Sequence, residues 1–189
     1  MKDEPYYIKE FQMEDLDLAV SLMDECVGKN LYPAESLRER LTKKKHKFYF
    51  LVSPKGVALG YIYFYTTTVS ELAKRAKVKE EEVKSVCFNA NPVIGNIQSI
   101  GVKEEFRKNG YAEKLLEFSL TKLHDAKVDT VFIVCWKVGN RVPLQAPLTS
   151  LNFSYLKDAH KVWYDVPNLI CPYCEGRCIC DASIYYKNI

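Results

Sequence analysis

The sequence has little net charge, few histidines and no long apolar run. Its 189 residues carry a formal net charge of +3, too small to indicate a nucleic-acid or membrane surface. No apolar segment approaches the ~20 residues that a membrane-spanning helix needs. The three histidines (His46, His124 and His160) have no partner pattern, so we interpret them as surface residues. We therefore expect neither a membrane nor nucleic acid as a partner.

The first residues, Met1 to Pro5, are charged and lack the hydrophobic stretch of a secretory signal. On this ground we expect a cytoplasmic protein with reduced cysteines. The chain has no internal repeat and no low-complexity tract. Its length and ordinary globular composition fit a single domain over residues 1–189.

Hydrophobic periodicity divides the chain into strands and helices, which predicts one α/β domain. Strands are predicted at 6–8, 48–52, 57–65, 96–102, 130–136, 155–164 and 182–187. Helices are predicted at 13–27, 33–44, 110–126 and 144–151, and a charged helical insert at about 70–90.

One strand-to-helix turn carries the main functional signal. The predicted strand 96–102 leads into a short loop, and Arg107-Lys108-Asn109-Gly110-Tyr111-Ala112 opens directly into the next helix. The first N–H groups of a helix lack intrahelical partners and carry the positive end of its dipole, so a pyrophosphate can bind there. Gly110 permits unusual φ and close backbone approach, while Arg107 and Lys108 add positive charge.

This turn resembles motif A of the GNAT superfamily of N-acetyltransferases, whose pattern is (Arg/Gln)-x-x-Gly-x-(Gly/Ala). Arg107, Gly110 and Ala112 occupy its fixed places, and Val102 precedes the arginine at the usual distance. The predicted element order resembles that of the superfamily over nearly the whole chain. The resemblance implies an α/β fold with a mixed, mostly antiparallel central sheet flanked by helices.

The resemblance also implies a cofactor and a place for it. Acetyl-CoA, or another acyl-CoA, would lie between two splayed strands, with the backbone N–H of Val102 as the expected oxyanion donor. Asn140 lies near the place of a family asparagine that contacts the cofactor. The implied cofactor-binding residues are Ile100, Gly101, Val102, Arg107, Lys108, Asn109, Gly110, Tyr111, Ala112 and Asn140.

The sequence offers no obvious general base. Many members of the superfamily carry a glutamate on the strand before motif A, where this chain has Gln98 and Ser99. We hypothesise a water relay held by Gln98 or Ser99. The alternative is that the substrate amine arrives already neutral.

The general acid is also displaced from its family position. The second family motif, Tyr-x-x-x-Gly-Phe, has Leu148 in place of the tyrosine and Asn152 in place of the glycine, followed by Phe153. Asn152 can adopt the left-handed conformation of a glycine. Tyr155 is the candidate substitute for the acid, although a tyrosine on a strand more commonly packs.

Four of the seven cysteines lie within one short segment, 171–180, between the last two predicted strands. Cys171, Cys174, Cys178 and Cys180 supply four soft ligands, which suits tetrahedral zinc. A free thiol cluster, a redox disulfide and an iron–sulfur centre are the alternatives. Because cysteine would fill every coordination place, we expect a structural metal.

Two functions from different classes fit the sequence. The first is an N-acetyltransferase that moves an acetyl group from acetyl-CoA to a primary amine by direct attack in a ternary complex. The amine acceptor, on a small molecule or a protein, is not identified, and a homodimer is compatible with this reading. The second is a catalytically weak CoA-binding module that uses the zinc loop and the helical insert to bind a partner.

Overall fold

The computed structural model describes residues 5–174 and 176–189. Residues 1–4, on which the expectation of a cytoplasmic protein mainly rests, lie outside the described residues, as does Glu175 in the cysteine segment. In the part of the chain that the structure describes, no helix is both long enough and apolar enough to cross a membrane.

Seven strands form one sheet in the order β1-β2-β3-β4-β5-β7-β6. The β4–β5 pair is parallel, and the other neighbouring pairs are antiparallel. The predicted mixed, mostly antiparallel α/β sheet is thus confirmed. The strands are β1 Tyr7–Glu10, β2 His46–Val52, β3 Ala58–Thr67, β4 Ile94–Val102, β5 Thr130–Lys137, β6 Ser154–Ala159 and β7 Asp181–Asn188.

Helices flank the sheet on both faces. They are α1 Leu16–Val27, α2 Ala34–Leu41, α3 Val69–Ala76, α4 Glu80–Lys84, α5 Tyr111–Asp125 and α6 Gln145–Ser150, with short 3-10 turns at Met13–Asp15 and Glu104–Phe106.

The two faces of the sheet are covered by different parts of the chain. On one side, which we call the α5 face, apolar residues at helical spacing in α5, including Leu115 and Leu123, pack with β3, β4 and β5. On the opposite side, the α1 face, Leu22 and Leu37 of α1 and α2 pack with aromatic side chains of β2 and β3. A ligand held at the edge of the sheet would therefore contact different helices on its two sides.

The helical insert and the cysteine segment form one layer on the α1 face. Leu72 of α3 is buried together with Trp163 and Cys178 from the β6–β7 connection. The Nζ of Lys77 donates to the backbone oxygen of Lys161 at 3.0 Å. Two features that lie far apart in the sequence therefore support one another.

Two predicted elements differ in extent from the observed ones. The predicted strand 155–164 stops at Ala159, because Lys161 has a left-handed φ of 46° that interrupts the extended backbone. The predicted insert at about 70–90 consists of two short helices, because Lys77 has a φ of 56° and ends α3.

His46 corrects the expectation that all three histidines are surface residues. Its ring is partly buried and stacks on Tyr65, with ring centroids 4.5 Å apart. Its Nδ1 shares a hydrogen bond of 2.7 Å with the hydroxyl of Tyr63. His124 and His160 are exposed, as predicted.

Candidate active site and metal centre

The parallel strands β4 and β5 separate part-way along their length. They pair only from Ile94 to Ile97 on β4 and from Thr130 to Ile133 on β5. Beyond that point β4 continues to Val102 on its pairing with β3, and β5 continues on its pairing with β7. The result is a gap between two strands whose other edges remain fixed.

Backbone N–H and C=O groups of β4 point into this gap. The N–H of Lys103 donates to the backbone oxygen of Leu59 at 3.0 Å, so the groups of Lys103 point toward β3. Directions alternate along an antiparallel pair, which turns the N–H and C=O of Ile100 and Val102 toward the gap. In agreement, Val102 O accepts a hydrogen bond of 3.0 Å from Nε of Arg107.

The segment between β4 and α5 makes a tight turn at the end of the gap. Lys108 and Gly110 have left-handed φ values of 65° and 76°, and Gly110 adopts this conformation without steric cost. The side-chain amide of Asn109 donates to the backbone oxygen of Phe106 at 3.1 Å. In the described part of the chain, the backbone amides of Asn109 and Gly110 donate to no other protein group. These donors, with the start of α5, suit an anion.

Other residues implied in cofactor binding lie around this turn. Tyr111, the first residue of α5, is buried, and its ring meets Tyr6 edge-on with centroids 5.7 Å apart. Its side chain therefore belongs to the core, and its contribution to a ligand would come from the backbone. Ala112 is partly buried beside it. Asn140 is exposed in the turn after β5 that the Val138–Arg141 hydrogen bonds close.

A β-bulge in β4 determines where the predicted relay residues point. In the pairing with β3, Tyr63 faces Ser99 and Phe64 faces Ile97, so Gln98 is the extra residue. The bulge directs the side chains of Gln98 and Ser99 to the same side, the α1 face.

Gln98 lies in a hydrogen-bonded network that includes a residue missed by sequence reasoning. Its Nε2 donates to the hydroxyl of Tyr32 at 2.6 Å, and that hydroxyl is 3.1 Å from the backbone oxygen of Gln98. The Nδ2 of Asn96 donates to Oε1 of Gln98 at 3.2 Å. Tyr32 belongs to the α1–α2 connection, and no local pattern in the sequence marks it.

Ser99 has a separate partner. Its hydroxyl is 2.7 Å from the hydroxyl of Tyr61, which is fully buried. Burial raises the pKa of Tyr61 well above its ordinary value, so the phenol stays protonated and can donate to Ser99. Ser99 can then direct its own proton toward another acceptor.

Comparison with solved structures identifies the fold in which these residues lie. No protein-family model matches the sequence, and no curated protein matches it. Arabidopsis thaliana NAA60 in complex with a bisubstrate analogue is similar, with a TM-score of 0.71, 14% identity and coverage of 98% of each chain. Chaetomium thermophilum Naa20, also with a bisubstrate analogue, gives a TM-score of 0.68 and 18% identity, covering 97% of this chain and 86% of that one.

A third similar structure is a GNAT family acetyltransferase from Elizabethkingia anophelis with acetyl-CoA bound. It gives a TM-score of 0.66 and 13% identity, and the match covers 100% of both chains. The chain has the GNAT fold. At these identities the likeness establishes the fold alone, and the sequence resemblance noted at Arg107, Gly110 and Ala112 agrees with it.

Within this GNAT fold, the position at which the second family motif has its tyrosine holds Leu148, which cannot act as a general acid. Leu148 is fully buried in the α5-face core. Asn152 has a left-handed φ of 56°, as predicted for a residue that replaces a glycine, and Phe153 is buried beside it.

Tyr155, the candidate substitute acid, lies on the other face of the sheet from Gln98 and Ser99. It pairs with Tyr185 across β6 and β7, and the two rings meet edge-on at 5.7 Å. Tyr185 packs against the α5-face core, and β7 and β5 lie between β6 and β4. The structure does not bring Tyr155 together with the two relay candidates.

The four clustered cysteines converge as the sequence predicts. Their sulfur atoms all lie within 4.8 Å of one another, and the Sγ of Cys180 is 3.8 Å from that of Cys171 and 3.3 Å from that of Cys174. Four sulfurs around one tetrahedral zinc are separated by about 3.8 Å, given Zn–S bonds of about 2.3 Å. The N–H of Tyr173 donates to the Sγ of Cys171 at 3.4 Å, a backbone hydrogen bond that orients this sulfur.

The β6–β7 connection, residues 160–180, which we call the cysteine loop, also borders the gap between β4 and β5. Trp136 lies on the separated part of β5 and contacts two aromatic residues of the loop. Its ring centroid is 5.0 Å from that of Trp163 and 5.9 Å from that of Tyr173. Burial raises the pKa of Tyr173, while the positive charge of nearby Arg107 opposes that rise. The loop thus stands beside the gap on the α1 face.

Proposed function

We propose that this chain is an N-acetyltransferase that moves the acetyl group of acetyl-CoA to a primary amine of a small molecule or a protein. The observation that most directly supports this proposal is the β4–β5 gap, toward which the backbone groups of Ile100 and Val102 point and which ends at the start of α5. Similar structures contain acetyl-CoA or bisubstrate analogues, which supports the same use of this gap.

The cofactor would bind along the α5 side of the gap. Its pantetheine arm would follow the backbone of β4, and its diphosphate would accept hydrogen bonds from the turn and the first amides of α5. The residues proposed for this binding are Ile100, Gly101, Val102, Arg107, Lys108, Asn109, Gly110, Tyr111, Ala112 and Asn140.

The reaction needs positioning more than strong acids or bases. The amine nitrogen attacks the thioester carbonyl in a ternary complex, the C–N bond forms, the C–S bond breaks, and the amine proton finally neutralises the CoA thiolate. The backbone N–H of Val102 would stabilise the oxyanion. Good alignment of the two reactants is worth up to about 7–11 kcal/mol.

Proton removal from the amine would run through water at Gln98 and Ser99. The Gln98 side chain already bonds to Asn96 and Tyr32, so a water there would use its remaining hydrogen-bonding capacity. Ser99 can accept a hydrogen bond from the Tyr61 hydroxyl and donate its own hydrogen to a water. Tyr155 remains the proposed acid for the leaving thiolate, to be tested by Tyr155→Phe.

A structural zinc ion is proposed at Cys171, Cys174, Cys178 and Cys180. The four cysteine side chains are buried or partly buried, and the separations of their sulfur atoms fit a tetrahedral ion. Metal analysis should give about one zinc per chain, and Cys178→Ser should lose it together with stability on the order of several kcal/mol. Cys87→Ser, a free thiol outside the cluster, is the matched control and should keep the zinc.

One experiment separates acetyl transfer from the alternative of a CoA-binding module. Purified protein is given acetyl-CoA and a panel of small amines and peptides with free N-termini, and the released CoA thiol is measured. Binding of CoA is measured separately by calorimetry. Turnover with any amine supports the proposal, and binding without turnover supports the module. Absence of CoA binding contradicts both.

A further inference from the structure

The cysteine loop is joined to the α1–α2 connection by three tight contacts. The N–H of Ile170 donates to the backbone oxygen of Lys29 at 3.0 Å, and Nδ2 of Asn30 donates to the backbone oxygen of Asn168 at 3.0 Å. Gly28 packs so closely that an added Cβ would lie 2.7 Å from the oxygen of Ile170. We call these contacts, between residues 28–30 and 168–172, the clasp.

The clasp is next to the first proposed metal ligand. Ile170 immediately precedes Cys171, and Pro172 would lie 3.0 Å from the same added Cβ on Gly28. Fixing Cys171 in a four-sulfur site would therefore fix the residues that hold the α1–α2 connection. Without an ion, the same residues are held only by packing and by the hydrogen bonds of the clasp.

The other end of the connection reaches the bulge of β4. Tyr32 lies two residues after Asn30 and is buried, with its hydroxyl bonded to the side chain and the backbone of Gln98. The path from the cysteine cluster to the relay candidates is thus continuous through hydrogen bonds and one short stretch of chain.

The cofactor side of the gap has its main supports elsewhere. The backbone of Ile100 and Val102, the turn at Gly110 and the start of α5 are supported mainly by β3 and by the α5-face core, and Gly101 also packs close to Cys26 of α1. Loosening the clasp should therefore change the α1 face of the gap and leave CoA binding intact.

We propose that Tyr32 is a positioning residue for acetyl transfer, and that a metal ion at the four cysteines holds it over Gln98 through the clasp. This inference rests on the proposed function. A metal ion limits the motion of residues 168–172, the clasp transmits that limit to residues 28–30, and Tyr32 then keeps the Gln98 side chain oriented. The metal would thus support one wall of the amine site without touching a substrate.

The first test uses no activity. Amide hydrogen exchange is compared between the full-length zinc-loaded protein and the same protein stripped by a chelator. Stripping should speed exchange by about tenfold or more in residues 28–33 and 168–172, while the first turn of α5 and the calorimetric Kd for CoA change less than about twofold. Equal exchange of residues 28–33 in both forms overturns the inference, even if the protein is an active acetyltransferase.

The second test uses matched glycine substitutions. Gly28 and Gly56 both have positive φ, of 103° and 79°, but an added Cβ at Gly56 meets nothing within 4 Å. Gly28→Ala should therefore open the clasp, whereas Gly56→Ala introduces backbone strain only. With the amine that turns over in the panel, Gly28→Ala should lower kcat/KM for that amine about tenfold and leave the KM for acetyl-CoA unchanged.

Tyr32→Phe tests the contact between Tyr32 and Gln98, at the opposite end of the path from the cysteines. It removes one hydroxyl and should lower kcat with the acetyl-CoA KM preserved. Equal kinetic losses in Gly28→Ala and Gly56→Ala, or full activity of Tyr32→Phe, contradict the role of the clasp. If no amine turns over, the proposed function fails, and the exchange experiment still decides whether metal and Tyr32 are coupled.

Discussion

Gln98 and Ser99 are adjacent in β4, yet both side chains point to the α1 face of the sheet. A regular strand would send them to opposite faces, and the bulge opposite Tyr63 and Phe64 prevents this. The bulge also coincides with the place where β4 leaves β5. One irregularity therefore opens the gap and provides two polar side chains on the side from which an amine could approach.

The relay hypothesis predicts a change in the pH dependence of the rate. In Gln98→Ala and Ser99→Ala, the proton of the amine loses its path to solvent, so only amine that is already neutral reacts. We expect kcat/KM at pH 7 to fall about 10²-fold and to rise with pH toward the pKa of the free amine. Ser70→Ala, at an exposed serine in α3, serves as the control. A pH–rate profile that both variants share with the parent protein would remove the relay and favour a neutral incoming amine.

The turn before α5 predicts a specific loss of cofactor affinity. Gly110→Ala forces a left-handed residue to carry a Cβ, which should cost about 1 kcal/mol of stability and shift the amides that face the diphosphate. Calorimetry should show CoA affinity reduced about tenfold. Gly56→Ala has a similar φ of 79° and equally open surroundings, so it should cost similar stability and keep the parent affinity for CoA. The prediction fails if the two variants bind CoA equally well.

The local parts of the site could be predicted from the sequence because their signals are local. The strand, the turn at Arg107–Gly110 and the following helix are contiguous, and backbone amides at a helix start need little side-chain information. The cysteine cluster is similarly compact. Buried apolar strands and amphipathic helices were enough to anticipate the order of the elements along the chain.

The remaining parts depend on contacts between distant segments. The bulge at Gln98 arises from the register with β3, and no residue type in β4 predicts it. Tyr32 and Ile170 gain their roles from the α1–α2 connection meeting the β6–β7 connection, a contact that spans about three quarters of the chain. The face of the sheet on which Tyr155 lies is another such case, since it depends on the pairing of Tyr155 with Tyr185.

His46 predicts a loss of stability in mild acid. Burial, reinforced by Lys45 and Arg40, lowers its pKa from 6.5 to about 4. The unfolded chain therefore binds a proton below pH 6.5 that the folded chain does not, so stability should fall as pH drops from about 6.5 through about 4. For a half-exposed ring we expect a loss on the order of 1–2 kcal/mol.

Chemical denaturation across this pH range measures the effect. His46→Gln removes the titrating group, so the acid-dependent loss should be smaller in that variant, although the variant also loses the stacking on Tyr65. His124→Gln, at an exposed position, should keep the slope of the parent protein. A His46→Gln variant with the parent slope would show that other groups cause the acid sensitivity.

The shared layer of the insert and the cysteine loop predicts that a change in α3 alters metal retention. Leu72 is 2% exposed and belongs to the same buried cluster as Cys171, Cys178 and Trp163, so Leu72→Ala leaves a cavity in the layer that the insert and the loop share. The free energy of unfolding should fall by about 3 kcal/mol. Because the cavity lies in the cluster that also contains the proposed ligands, zinc release to a coloured chelator should accelerate several-fold. Leu123→Ala makes a cavity of similar chemistry in the α5-face core and should cost similar stability with no change in zinc release. Equal release rates in the two variants would mean that the insert packs on the loop without supporting the metal site, and that general loss of stability explains any change.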